Sequence, residues 1–208
     1  MSSSTAPSEP GAASGQPKKR RTQRRPERRE ELLMAAAKLF HERGYHATGM
    51  NDIGAAAGIT GPGVYRHFQS KEEILETLAT EFGAPVLERA SQIAQSAENP
   101  RDALAEMADL YVATMLEYAA VASVAVYELR TLQPRTRASI ERLQRLSVEE
   151  WVHVLIQARP DLPDGYARVM VRGVQAMALT MCADTSGIDR EHLRQRVTDM
   201  IVKALLAD

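Results

Sequence analysis

Apolar positions recur along this chain at helical spacing almost from end to end, and nowhere in the strict alternation of a half-buried strand. Leu32, Leu33, Ala36, Leu39 and Phe40 form a first stripe, and Gly44 stands where a helix ends in a left-handed residue, so a helix is predicted over about 26–43. Thr48 is placed to cap a second helix carrying Ile53, Ala56 and Ala57, which stops at Gly58 because glycine tolerates the backbone of a sharp turn. Thr60 caps a third helix over about 61–67, with Pro62 in its first turn, where a missing N–H costs nothing. Ser70 and Glu73 stand at capping-box spacing, and Ile74, Leu75, Leu78 and Phe82 continue the apolar face of a fourth helix. The small residues Ala55 to Gly58 let the second and third helices approach closely.

Gly83-x-Pro85 predicts a kink or an end in the fourth helix. Asn99-Pro100 then opens a helix over about 100–117, with Leu104, Met107, Ala108, Tyr111, Val112 and Met115 on one face. A shorter apolar segment from Val121 to Leu132 ends at Pro134, and helices follow over about 135–158, 164–183 and 189–206. The expected fold class is all-α: an N-terminal three-helix helix-turn-helix domain over 26–82, then a C-terminal helical bundle over 83–208. Residues 1–25 form a disordered basic arm in this division.

Two short helices around a glycine turn, braced by longer amphipathic ones, can press the second of the pair into a major groove. The third helix lacks apolar periodicity and shows Tyr65, Arg66 and His67 where a buried helix shows aliphatics. A small bundle that binds nothing is the alternative this departs from.

The string Phe40-x-x-x-Gly44-Tyr45, Thr48, Ile53, Ala57-Gly58, Thr60, Tyr65, His67-Phe68 and Ser70-Lys71-Glu72 resembles the N-terminal region of TetR-type transcriptional repressors over about fifty residues. Beyond residue 82 the resemblance is one of length and helical architecture only. It implies that Thr48 and Thr60 contact phosphates through their hydroxyls and the helix starts they cap, that Tyr65 and His67 clamp the backbone, and that Lys71 does so at the start of the fourth helix. Base reading then falls to Gly61, Pro62, Gly63 and Arg66, with Arg66 best suited to a bidentate contact with guanine. Gly49 and Gly63 depart from the family pattern, each removing a possible phosphate hydrogen bond.

Net charge is −1 over 208 residues, which suits a DNA partner only once it is divided along the chain. Residues 1–31 carry +4 and the remainder −5. The Ser/Ala/Pro/Gly-rich start cannot bury enough apolar surface to order itself, and the basic run from Lys18 to Arg29 reads as an arm that tracks phosphates or as a solubilising tail. Cys182 is the single cysteine, no stretch is apolar enough to span a membrane, and the start lacks the core of a secretory signal, so the cytoplasm is expected.

A helical domain joined to a DNA reader is expected to sense a small-molecule effector. Tyr111, Met115, Tyr118, Tyr127, Trp151, Met177 and Met181 are the large or adaptable apolar candidates, with Glu128 to orient a largely hydrophobic or acyl-type ligand and Arg130 and His153 as further polar groups. The same stripes also suit a packed core. The last two helices carry small residues such as Gly173, Ala176 and Ala178, and the family resemblance implies that this pair forms a homodimer across a two-fold axis, hence a palindromic operator on double-stranded DNA. Catalysis is not expected. The five histidines show no paired-ligand spacing, Cys182 has no histidine at a neighbouring helical position, and no metal or cofactor motif is present. A sequence-indifferent architectural DNA binder built on the basic arm is the nearer alternative.

Overall fold

The computed structural model describes residues 20–127, 129–183 and 185–207, all of whose regular structure is helical. Eight α-helices follow one another: α1 Arg20–Arg43, α2 Met50–Ala56, α3 Gly61–Val64, α4 Lys71–Ser96, α5 Pro100–Tyr127, α6 Pro134–Ala158, α7 Asp164–Ala183 and α8 Arg190–Leu206, with a 3₁₀ turn at Leu129–Thr131. Among the described residues no helix is long and apolar enough to cross a membrane.

Local chemistry places most of these ends. Gly44 adopts φ +85° and its N–H closes the last turn of α1 onto the Phe40 carbonyl at 3.0 Å. Gly58, at φ +69°, ends α2 in the same way. At α4, Ser70 Oγ accepts from the Glu73 N–H at 3.1 Å while the Glu73 carboxylate accepts from Gln69 N–H at 2.6 Å.

Five boundaries differ from the sequence reading. α3 stops at Val64 instead of near 67, the chain from Tyr65 to His67 continuing as a turn whose N–H groups bond to the carbonyls of Gly61, Gly63 and Val64. α1 begins at Arg20, so Arg20, Arg21, Arg24 and Arg25 ride on its first turns; the part of the proposed arm over 1–19 lies outside the described residues. α2 is capped by Gly49, whose N–H donates to Asp52 Oδ2 at 2.8 Å, because Thr48 is buried and turned inward. α4 runs unbroken through Pro85 to Ser96, since Ala90 and Ile93 beyond it are packed into the bundle, and that packing outweighs the ~3 kcal/mol a helical proline costs. The two segments expected over 100–117 and 121–132 are one helix, α5, with a kink at Tyr118 (φ −122°, ψ 26°) between them.

Two hydrophobic cores result. The larger joins the C-terminal half of α4 to α5–α8, with Leu104, Val112, Trp151, Leu155, Val171 and Val197 at its centre. The smaller fills the head formed by α1–α4, around Phe40, Ile53, Val64, Phe68 and Leu75. It also takes in Val121, Val124, Leu132 and Ile140. The boundary expected at 82/83 therefore falls inside one continuous helix, and the end of α5 and the start of α6 are built into the head.

Candidate functional site

The turn between α2 and α3 sets the geometry of the reading surface. Gly54 lets the two helices touch, because a Cβ there would meet Val64 Cγ2 at 2.9 Å and the Ile59 carbonyl at 3.0 Å. Gly61 is held just as closely, and a Cβ on it would collide with Asn51 Oδ1. Val64 and Phe68 are buried and pin α3 to the head. Between them the chain turns outward: Tyr65 is 55% exposed, Arg66 is exposed, and Thr60 and Pro62 are exposed at the helix start. Gly63 and His67 are half-exposed beside them, and Thr60 caps α3 by position without a side-chain bond.

Thr60, Pro62, Tyr65 and Arg66 are thus exposed within seven residues, with Gly61, Gly63 and His67 partly exposed among them. Two other expected contacts do not join them. Thr48 is 1% exposed, its hydroxyl donating to the Gly44 carbonyl at 2.9 Å with the Leu39 carbonyl at 3.3 Å, so it ties the loop after α1 and has no lone face for a phosphate. Lys71 Nζ donates to the carbonyls of Tyr45 at 2.6 Å and Thr48 at 2.9 Å and sits 4.3 Å from the Tyr45 ring centroid. Two of its three donors are thus engaged by the head, and burial pulls its pKa below the usual lysine value. The same burial, with Glu72 nearby, pushes the Tyr45 phenol up to about 12. α3 itself has only four residues, too short to sum much of a macrodipole, so side chains rather than the helix start must carry any anion contact. Arg28, read in the sequence as part of the basic arm, instead buttresses the turn by donating to the Ala57 carbonyl at 3.2 Å.

A second feature lies one domain away. A cavity of about 450 Å³ opens between α4, α5, α6 and α7. Of the expected ligand residues it brings together Tyr111, Met115 and Tyr118. Trp151 is buried behind Tyr111, edge to face at 5.9 Å, where it supports the wall; Met177 and Met181 pack against the core away from the cavity. Glu128 and the Tyr127 side chain lie outside what is described. His153 faces solvent beside Gln157. Sequence reasoning takes the fourth helix to the pocket wall but names none of Leu78, Phe82, Gly83 and Val86 as its lining, and none of the polar rim of α6 and α7. The signal was present, because the apolar face of α4 continues past Phe82 to Val86 and Leu87; the glycine-proline break hid it.

Cavity and head are joined by specific contacts. Phe82 of α4 stacks on Tyr118 at 4.3 Å, at the kink of α5. Two to three turns nearer the head, Glu72 accepts from the Gln133 N–H at 2.5 Å and Glu76 from the Thr136 hydroxyl at 3.0 Å, so carboxylates of α4 hold the first turn of α6. Nearer the start of α7, Tyr166 and Val169 are 69% and 70% exposed, at helical spacing from the exposed Gly173. Met200 of α8 is also exposed. Among the described residues no cluster of His, Cys, Asp or Glu could hold a metal.

Comparison with known proteins is consistent across the chain. A family model described as bacterial regulatory proteins, tetR family, matches residues 32–78. The HTH-type transcriptional repressor KstR2 of Mycobacterium tuberculosis is 36% identical over 141 residues, spanning 65% of this chain and 67% of its own. Its solved structure, described as a ketosteroid transcriptional regulator, superposes with a TM-score of 0.71 at 28% identity, covering 84% of this chain and 93% of that one. AibR in complex with isovaleryl coenzyme A and operator DNA gives a TM-score of 0.69 at 24% identity over 83% and 97% of the two chains. FadR of Bacillus subtilis in complex with stearoyl-CoA gives 0.66 at 21% identity over 84% and 98%.

Proposed function

The chain belongs to the TetR family of ligand-responsive DNA-binding regulators, and on that premise we propose that it is a dimeric repressor that reads a palindromic operator and is released by a largely hydrophobic, acyl-type effector bound in the α4–α7 cavity. The observation that carries this reading is the double role of α4. Its first turns supply Ile74, Leu75 and Leu78 to the head, and Leu78, Phe82, Gly83 and Val86 then line the cavity. A guest that separates α4 from α5 and α6 must shift the base of α3.

Thr60, Tyr65 and His67 serve as phosphate contacts in this reading, and Arg66 reads a base edge, with Pro62 and the narrow Gly61 and Gly63 letting the turn sit close to the groove. The basic residues at the start of α1 add sequence-independent attraction to DNA in this reading, a contribution that must fall with added salt. The exposed Tyr166–Val169 stripe with Met200 supplies the two-fold contact, which spaces the reading surfaces by roughly 34–36 Å, one turn of DNA. An effector that favours the separated arrangement weakens operator affinity by the same coupling, about 1–3 kcal/mol. An acyl-type guest is supported by the apolar cavity of this chain and by the coenzyme A thioesters bound to two regulators of the same fold.

Footprinting on the chain's own upstream DNA tests the reading. Wild type should protect an inverted repeat with a preference on the order of 10³ over random duplex, and Arg66→Ala should lose that preference while keeping weak, salt-sensitive binding. Val169→Glu should give a monomer in sedimentation and lose the footprint. Equal affinity for any duplex would instead identify an architectural binder.

A further inference from the structure

The cavity walls are largely apolar, and their charged residues all lie on α6 and α7. Arg145 of α6 and Arg172 of α7 both line the cavity and both face solvent. Among the described residues neither guanidinium makes an ion pair. Glu141 stands four residues before Arg145, the spacing at which a helical ion pair forms, yet no such pair is made. Glu149, whose charge Arg172 feels, gives its carboxylate to Arg168, which also binds Asp164 at 2.8 Å. Ser147 and Gln175 meet at 3.3 Å between the same two helices, adding two polar side chains with donors to offer.

We propose that Arg145 and Arg172 form an anion-binding rim, so that the effector is an amphipathic anion whose apolar body fills the cavity and whose charged head is gripped between α6 and α7. This rests on the cavity being the effector site. The chemistry is that of the guanidinium fork, which pairs with carboxylate or phosphate through two parallel hydrogen bonds. An apolar pocket with a few convergent polar groups at one end is also the arrangement that orients a small molecule. Glu141 is the one carboxylate on the lining, and it leaves the rim with a net positive charge. Two sources carry this chemistry: a free carboxylic acid, and a thioester whose head bears phosphates.

Two fluorescent probes of matched aromatic body separate body from head in the full-length chain: 8-anilinonaphthalene-1-sulfonate, which carries a sulfonate, and the neutral N-phenyl-1-naphthylamine. Arg145→Glu with Arg172→Glu should weaken the sulfonate probe by roughly tenfold or more and leave the neutral one unchanged, since a charge-assisted fork is lost and a repulsion added. Arg145→Lys with Arg172→Lys should restore most of the affinity. Equal weakening of both probes, or an unchanged preference for the sulfonate, overturns the rim. Val86→Trp, which fills the cavity from α4 without touching the rim, should abolish both probes; if they still bind to this variant while it stays folded, the cavity reading itself has failed. Competition then assigns the source: displacement by palmitoyl-coenzyme A alone points to the phosphorylated head, displacement by palmitate alone to the carboxylate, and displacement by neither overturns the proposal.

Discussion

The head formed by α1–α4 and the α4–α7 cavity handle polar side chains in opposite ways. In the head nearly every polar group near the α2–α3 turn is engaged internally, for Thr48 ties the loop, Asp52 caps α2, Lys71 holds two carbonyls, and Arg28 holds a third. What remains outward is small, chiefly Thr60, Tyr65 and Arg66. At the cavity the walls are largely apolar, and among the described residues Arg145 and Arg172 at the rim make no ion pair. A rigid surface presented to DNA needs its supports satisfied within the fold, whereas a site that waits for a guest leaves hydrogen-bonding capacity unused. Polar residues in a DNA-reading motif are therefore as often supports as contacts, and charge alone does not separate the two.

The sharpest way to break this comparison is to remove an anchor of α3. Phe68→Ala should cost about 3–5 kcal/mol in a thermal or urea melt, since a buried ring leaves a cavity, and operator binding should disappear with it. Lys71→Met comes next. It leaves the Tyr45 and Thr48 carbonyls without their donor and should lower stability by about 1–3 kcal/mol. The slope of log affinity against log salt should not change, whereas a phosphate contact would reduce it by about one. Arg66→Ala is the counterpart, with stability held within about 0.5 kcal/mol while base discrimination falls. A Lys71 variant that keeps its stability but loses salt dependence would reverse the assignment.

Smaller effects should appear at the joint. Glu72→Ala with Glu76→Ala frees the first turn of α6 from α4, and should reduce the effector's influence on operator binding by about 0.5–2 kcal/mol while the effector's own affinity stays close to wild type. Titration calorimetry with and without operator checks this. The smallest effect is alkaline. Tyr45 keeps its proton in the folded head up to about 12, against an ordinary value of 10.0 in the unfolded chain. Its contribution is fully present below pH 10 and is lost as pH rises toward 12. Lys71, lowered by burial, titrates in the opposite sense, so the clean measurement is the difference in melting temperature between wild type and Tyr45→Phe from pH 8 to 11.5.

The helices and their punctuation were readable from residues 28–75 because capping and left-handed turns are decided within a few residues: Gly44, Gly58 and Ser70 act where their positions indicated. Exposure of Tyr65 and Arg66 was readable too, from the lack of an apolar stripe on α3. The inward turn of Thr48 and Lys71 was not, since their partners are main-chain carbonyls whose direction depends on how the loop after α1 folds back onto α4. At the cavity, Tyr111, Met115 and Tyr118 shared a legible face, but Met177 and Met181, on an equally apolar stripe, face elsewhere.

Periodicity along the chain alone determined an all-helical protein, the glycine turn, the two-part organisation and the face each helix presents relative to its own axis. Tertiary structure decided which neighbour each face meets, that α4 passes Pro85 unbroken, and that α4–α7 enclose a space instead of filling it. Helical spacing reports on neighbours one turn apart, within about 6 Å along a single axis. Whether two such faces interlock or stand apart depends on the angle and distance between axes, which long-range packing sets.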